Sequence, residues 1–321
     1  MPQPRTPPHA DLACIREVGT LLDFMATLSR LLPRGKGAVP RFLGRMLLPP
    51  RKGYFVTRHG ARMIIHPRNL DVFVTMRRAG NSWDYEDFQI CYDLVLDGET
   101  FYDIGANIGY FTVEMLQLSG CKVGVVSFEP FAELADGILL SAQLNGHSNL
   151  TVFNAMVGDR SEQADFYLAP SSIHASAVSD SGRPALSKIP KPMVAIDDLV
   201  QARAAAPPDV VKADIEGSEH LLFAGACRVF RDRSPHIFVE YLADSDPGLR
   251  IRRNIEGLAD DVPSYQIYGY PKSNLRHQFP HKLFPIKRSD DWNLVHGVVM
   301  RNADRAVRDE AMFGAQKAPL S

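Results

Sequence analysis

Cysteine is scarce in this chain of 321 residues, and its four copies, Cys14, Cys91, Cys121 and Cys227, lie far apart with no CxxC pair. That spacing excludes a disulfide scaffold or a zinc ribbon and makes reduced cytosolic thiols the expectation. No apolar run reaches the ~20 residues of a membrane-spanning helix. The longest uncharged stretch, Gly137 to Gly158, is interrupted by Gln143, Asn145, His147, Asn149 and Asn154. The opening MPQPRTPPHADLA lacks the apolar core and cleavage pattern of a signal peptide, so a soluble cytoplasmic protein is expected. Neither charge is in excess. Thirty-six basic against thirty-seven acidic residues leave −1, which argues against a general nucleic-acid binder. A GxxxxGK sequence followed by Ser or Thr is missing too, which excludes a P-loop.

What is present suffices for a sizeable core: 45% of residues are apolar, and the length suits one large domain with appendages or two modest ones. Residues 1–52 read as a basic, partly helical extension. Ile15, Val18, Leu21, Leu22, Met25, Leu28 and Leu32 recur at helical spacing until Pro33. Between Phe24 and Leu70 there are ten Lys or Arg and no acid. Two readings stand: a solvated face leading into the main domain, or a peripheral contact with an anionic membrane.

Residues 53–303 carry the main pattern. Tyr54–Thr57 and Met63–Ile65 flank His59-Gly60 as a hairpin, and Trp83–Leu96 reads as a helix closed by Asp97-Gly98. Apolar strands at 100–104, 123–128, 149–153, 210–213 and 236–239 then alternate with helical segments, the mark of a parallel sheet covered on both faces. A polar insertion, Ala169 to Pro192, separates the third and fourth of these strands and reads as a lid or a surface loop. Tyr265–Tyr268 and Leu294–Met300 suit an antiparallel hairpin that finishes the sheet. Residues 304–321 read as a charged, fraying tail.

Three motifs carry the chemistry. In Phe101-Tyr102-Asp103-Ile104-Gly105-Ala106-Asn107-Ile108-Gly109, a strand ends at Asp103 and turns through glycines into a helix. The spacing is GxNxG, with Asn107 where a dinucleotide binder has its middle glycine, so NAD is disfavoured. An acid at this first turn suits an ammonium-bearing ligand. In Ser127-Phe128-Glu129-Pro130, a carboxylate at the end of the second strand suits a bidentate hold on ribose hydroxyls. Together the two point to S-adenosylmethionine. The third, Lys212-Ala213-Asp214-Ile215-Glu216-Gly217-Ser218-Glu219, brings a lysine and carboxylates out of an apolar strand. Such groups are costly there unless paired or functional.

These motifs, DIGANIGYFT, SFEP, NAMVGD, VVKADIEGSEHLLFAGA and IFVEY, occur in the order of the FkbM-type methyltransferases, which the chain resembles over roughly residues 55 to 300. The resemblance implies a class I methyltransferase Rossmann-like α/β fold, with seven mostly parallel strands, helices on both faces and an antiparallel C-terminal hairpin. It implies O-methylation of a hydroxyl, most often of a sugar in a glycolipid, polysaccharide or glycosylated natural product. Asp103, Gly105, Ala106, Asn107 and Gly109 would then surround the methionine part of the cofactor. Glu129 would hold the ribose, and Asn154, Ala155 and Met156 would pass beside the adenine. Glu86 resembles an acidic position of the family before its first core strand.

Methyl transfer to a hydroxyl needs alignment and a base. Asp214, Glu216 and Glu240 are the candidates by position, and Lys212 beside Asp214 would keep that carboxylate ionised and only weakly basic. A histidine is the other candidate, with His174 and His220 in view. Asp214 and Glu240 could share a magnesium ion, but no dense ligand motif demands one and no metal site is expected. The alternatives are a polyketide or phenol O-methyltransferase, a nucleic-acid methyltransferase and a non-catalytic cofactor-binding domain. For nucleic acid the base-reading elements are missing. Oligomeric state is not legible.

Overall fold

A computed structural model describes residues 2–8, 10–31, 53–66, 69–168, 187–241, 246–272 and 282–313. The chain opens with a short strand β1 (Arg16–Glu17) and helix α1 (Gly19–Leu31), then the hairpin β2 (Gly53–Val56) and β3 (Arg62–Ile64). Helices α2 (Leu70–Arg78) and α3 (Tyr85–Leu94) lead to the alternating part. That part runs β4 (Thr100–Ile104), α4 (Tyr110–Ser119), β5 (Gly124–Phe128), α5 (Ala132–Asn145), β6 (Leu150–Phe153). After it come β7 (Met156–Val157), β8 (Glu162–Leu168), β9 (Ser187–Val194) and α6 (Ile196–Gln201). Then follow β10 (Val210–Ala213), α7 (Glu219–Gly225), α8 (Cys227–Arg233), β11 (His236–Glu240) and α9 (Asp246–Asp261). The last strands are β12 (Tyr265–Pro271), β13 (Phe284–Pro285) and β14 (Val295–Asn302).

The main sheet has the order β13-β12-β14-β11-β10-β4-β5-β6. Strands β6, β5, β4, β10 and β11 pair parallel, and β14 slots antiparallel between β11 and β12. This is the expected Rossmann-like α/β fold with its antiparallel C-terminal hairpin, but the sheet holds eight strands where seven were expected. The extra one is the two-residue β13 on the outer edge of β12. Pro285 has no N–H to give to a ladder and is tolerated on an edge, so hydrophobic periodicity gives no sign of it.

Period-two alternation assigns the faces. Phe101, Val125, Val210 and Phe238 point into the core shared with α1 to α4, while Tyr102, Val126, Val211 and Ile237 point into the opposite core, with Leu222, Phe230 and Ile255. The register sets Lys212 beside both Asp103 and Phe238, and Asp103 beside Ser127. A polar row thus crosses three central strands on one face, close to their carboxyl ends.

Two small sheets flank this one. In the first, β1 pairs parallel with β2, which pairs with β3; in the second, β9 lies between β7 and β8. The described part of the N-terminal extension is not detached, since Leu22 and Met25 are buried in the main core. Of the expected insertion, 187–192 belongs to β9, and 169–186 lies outside the described residues, His174 and the Ser-rich part included. Between β10 and β11 the helical segment is divided into α7 and α8 at Ala226. The fraying tail expected after 303 is corrected over 304–313, where Met312 and Phe313 are buried and Arg305 pairs with Glu99 and Asp209. Among the described residues no helix is long and apolar enough to cross a membrane.

Candidate active site

At the carboxyl ends of β4, β5, β10 and β11 lies a cavity of about 260 Å³, the position where open α/β sheets bind ligands. Its floor is the turn after β4. Gly105 and Ala106 donate their N–H groups to the Phe128 carbonyl. Gly105 sits at φ +77, and a Cβ there would lie 2.0 Å from the Asp214 carbonyl oxygen. This glycine is demanded by the close passage of the β10 exit; the sequence expectation was room for a ligand. Asn107, also at positive φ (52°), donates its N–H to Glu129 Oε2 at 2.8 Å, and Phe131 donates to Glu129 Oε1 at 2.7 Å. Glu129 lines the cavity with one backbone donor on each oxygen, which leaves lone pairs for a diol. Its burial raises the carboxyl pKa to about 8.

Behind the floor, Asp103 is fully buried and accepts from the Thr112 N–H (3.1 Å) and hydroxyl (2.7 Å). Lys212 Nζ stands 3.4 Å from Asp103 Oδ1 and 3.8 Å from Asp214 Oδ2, and donates to the Gly105 carbonyl at 3.1 Å. Burial opposes its charge, but Asp103 and Asp214 outweigh it and hold the ammonium protonated. The lysine therefore ties the β4 turn to the β10 exit.

Beyond β10 the chain carries Glu216 at φ +56 and Gly217 at φ +94, and Glu219 clamps this kink by accepting from Ile215 (2.9 Å) and Gly217 (3.4 Å). Burial raises the Glu219 pKa to about 7. Asp214, Glu216 and Glu240 all line the cavity. Burial, and then the neighbouring Asp214 carboxylate, raise Glu240 to about 10, so it holds a proton at neutral pH and bonds Asp214 with it.

The opposite wall comes from the entry to α3 and from β14. Trp83, Asp84, Asp87 and His296 line the cavity, with His296 Nε2 3.6 Å from Asp87 Oδ2. Asp84 sits in the left-handed region at φ +41, and burial with Asp87 nearby raises its pKa to about 6. Phe131, Ala155, Met156, Val157 and Phe166 form an apolar end beyond Glu129.

A methyltransferase FkbM domain model matches residues 103–279, more than half of the chain and most of this site, with Trp83, Asp84, Asp87 and His296 lying outside it. The chain belongs to the FkbM methyltransferase family. Among solved structures it is similar to methyltransferase FkbM from Methylobacillus flagellatus KT (17% identity, TM-score 0.42), over 73% of this chain and 54% of that one. It therefore spans about half the length of that relative. It is also similar to an O-methyltransferase from Bacillus cereus in complex with SAH (14% identity, TM-score 0.39, 82% of this chain and 96% of that one). No curated protein matches.

S-adenosylmethionine, the methyl donor of the FkbM domain, fits what the cavity offers: a buried carboxylate for a diol, an apolar slot for a flat base and acids for a cationic ligand. Gly105, Ala106, Asn107, Glu129, Ala155 and Met156 are the expected contacts that line it. Four others do not. Asp103 is sealed behind Thr112 and Lys212, and Gly109 is packed so closely that a Cβ would lie 2.6 Å from Ile138. Asn154 donates to the Glu129 carbonyl at 2.8 Å and supports that residue from outside. Glu86 accepts from the Tyr270 hydroxyl, and its neighbours Asp84 and Asp87 take the place expected of it.

Sequence reasoning missed Trp83, Asp84, Asp87 and His296. The Trp-Asp-Tyr-Glu-Asp run was the available signal, but an irregular helix entry gives no register to choose among its acids. For His296 there was none, because only the sheet order brings β14 against β11. His220 faces the Gly217 carbonyl (3.2 Å) and does not line the cavity. Among the described residues, no group of three or more His, Cys, Asp or Glu is arranged to hold a metal ion.

Proposed function

We propose that the protein transfers the methyl group of S-adenosylmethionine to a hydroxyl of a carbohydrate acceptor, cytoplasmically and with a glycolipid or other glycosylated molecule as the natural substrate. The observation that carries this reading is the cavity lining: the indole of Trp83 faces the same cavity as the carboxyl groups of Asp84, Asp87, Asp214 and Glu216. Sugar hydroxyls need fixed acceptors, and the apolar face of a pyranose needs an aromatic surface. The same acids disfavour polyanionic acceptors, nucleic acid among them, because like charges in a partly buried site repel strongly.

When bound, S-adenosylmethionine supplies a methyl group on a positively charged sulfur. The chain's own residues then have three tasks. Glu129 and the apolar slot hold the nucleoside end, and Lys212 fixes the β4 turn and the β10 exit in one geometry, which an in-line displacement requires. The carboxylates orient the acceptor hydroxyl and accept its hydrogen bonds. The ten basic residues between Phe24 and Leu70 support a lipid-linked acceptor at an anionic membrane, although 32–52 lie outside the described residues.

The test combines isothermal titration with product analysis. Glu129→Ala should weaken S-adenosylmethionine binding about 30-fold or more, the worth of two hydrogen bonds to a diol. Trp83→Ala should leave that binding intact and lower methylation of p-nitrophenyl glycosides about tenfold or more. Wild-type transfer to phenols but to no glycoside would decide for the polyketide or phenol class instead.

A further inference from the structure

The carboxylates at the β10 and β11 exits are poorly suited to take a proton from an alcohol. Glu240 already holds one at neutral pH, kept there by burial and by Asp214. Asp214 lies 3.8 Å from the Lys212 ammonium, which engages its carboxylate. Glu216 also lines the cavity, and the wall that sequence reasoning missed contains an imidazole, the group whose ordinary pKa lies nearest neutral pH.

His296 stands on β14, where Gly297 pairs with Glu240 and the His296 carbonyl accepts the Tyr241 N–H at 2.9 Å. The backbone ladder therefore fixes it beside the β11 exit. Tyr270 flanks its ring, with centroids 6.2 Å apart, and the phenol of that tyrosine is itself anchored on Glu86. Its Nε2 stands 3.6 Å from Asp87 Oδ2. Asp87 is in the first turn of α3 and its side chain is 14% exposed, so a packed helix holds it. A carboxylate this close to an imidazole stabilises its cationic form, which suits a base working near neutral pH.

We infer that His296 is the general base for the acceptor hydroxyl, with Asp87 as the carboxylate that orients it. The inference rests on reading the cavity as a hydroxyl-methylating site. The hydroxyl proton passes to the imidazole nitrogen turned away from Asp87 as the new oxygen–carbon bond forms. The carbon–sulfur bond breaks with its electron pair on sulfur, giving the neutral thioether. The positive charge leaves the sulfonium and reappears on the imidazolium, 3.6 Å from the Asp87 carboxylate. Asp84 and Asp87 from the α3 entry, Glu240 from β11, Asp214, Glu216 and Lys212 from the β10 exit, and Tyr270 from β12 are the titratable groups around this position. Their excess of acids favours the cation formed.

Two measurements on the full chain test this. In the first, histidine ring signals are followed by NMR from pH 5 to 9, with His296→Gln identifying the resonance. Asp87→Asn should lower the pKa of His296 by about 1 unit; an unmoved pKa would overturn the dyad whether or not an acceptor has been found. In the second, transfer to p-nitrophenyl glycosides is measured against pH. His296→Gln should lose about 100-fold in kcat and the limb that rises with pH, at an S-adenosylmethionine Kd within twofold of wild type. Asp87→Asn should lose about tenfold and shift that limb. A His296→Gln enzyme with most of its rate, or Glu216→Gln matching the loss expected of it, would assign the base elsewhere. If wild type methylates no glycoside, the carbohydrate reading fails and the dyad is decided by the first measurement.

Discussion

At the scale of single residues, the site is shaped by packing within the protein as much as by what a ligand requires. Gly105 is the clearest case. It combines φ +77 with a Cβ position 2.0 Å from the Asp214 carbonyl oxygen, so even alanine must push apart the two strands whose ends form the cavity floor. We expect Gly105→Ala to lower unfolding stability by about 3 kcal/mol, the sum of left-handed strain and overpacking. Chemical denaturation of the two proteins would measure it; a change below about 0.5 kcal/mol would mean that the floor yields easily. The motif was legible in the sequence as a glycine turn, but its cause was not. A glycine that admits a ligand and one that admits another backbone look alike until the neighbouring strand is placed. Asp103 teaches the same lesson. Acid, position and strand end were all readable, whereas its burial against Lys212 depends on the register of β4 and β10, which pairs it with a residue 109 positions later in the chain.

Among elements, the exits of β5, β10 and β11 and the start of α7 share one electrostatic habit. Glu129 and Glu219 are buried, Glu240 is partly so, and their pKa values are raised to about 8, 7 and 10. An acid whose folded pKa lies above its unfolded value, near 4.3, binds protons more readily folded than unfolded. Its favourable contribution is complete below the unfolded value and is lost as pH rises through the folded one. The ligand-free protein should therefore lose stability between pH 5 and 9. Glu240→Gln keeps the hydrogen bond to Asp214 without the acid, so it should be more stable than wild type by a margin that widens with pH. At pH 8 that margin should reach about 1 kcal/mol or more, roughly 3 °C in Tm. Thermal unfolding of both proteins at pH 5 and pH 8 checks the sign, and a constant difference would remove Glu240 from the account. Such strain is common where function concentrates charge. The sequence disclosed that carboxylates gather at strand ends. Which of them would be neutral depends on distances between strands, and no spacing along one strand encodes that.

For the whole molecule, the question is how far the cooperative core extends beyond the family's domain. Strand alternation made the central five strands readable, because parallel strands buried on both faces carry continuous apolar runs. The periphery was harder, since short elements there borrow their stability from contacts distant in sequence. Residues 304–313 illustrate this: they are polar and charged by composition, yet Met312 and Phe313 are buried. The Phe313 ring meets Tyr268 edge-on at 4.7 Å, and Arg301 lies 4.4 Å above it. Tyr268 belongs to β12, which carries the extra edge strand β13, and the Leu283 N–H just before β13 bonds the Met312 carbonyl at 3.1 Å. The C-terminal segment thus covers the outer end of the sheet and touches nothing in the cavity. Truncating a buried aromatic ring costs about 3–5 kcal/mol, so Phe313→Ala should lower Tm by about 10 °C. Because none of residues 304–313 lines the cavity, the Kd for S-adenosylmethionine measured well below Tm should stay within about twofold, less than 0.5 kcal/mol. Thermal unfolding and titration of the same variant separate the two quantities. An unchanged Tm would restore a tail that merely rests on the surface, and a lost affinity would mean that this end of the sheet helps to shape the site.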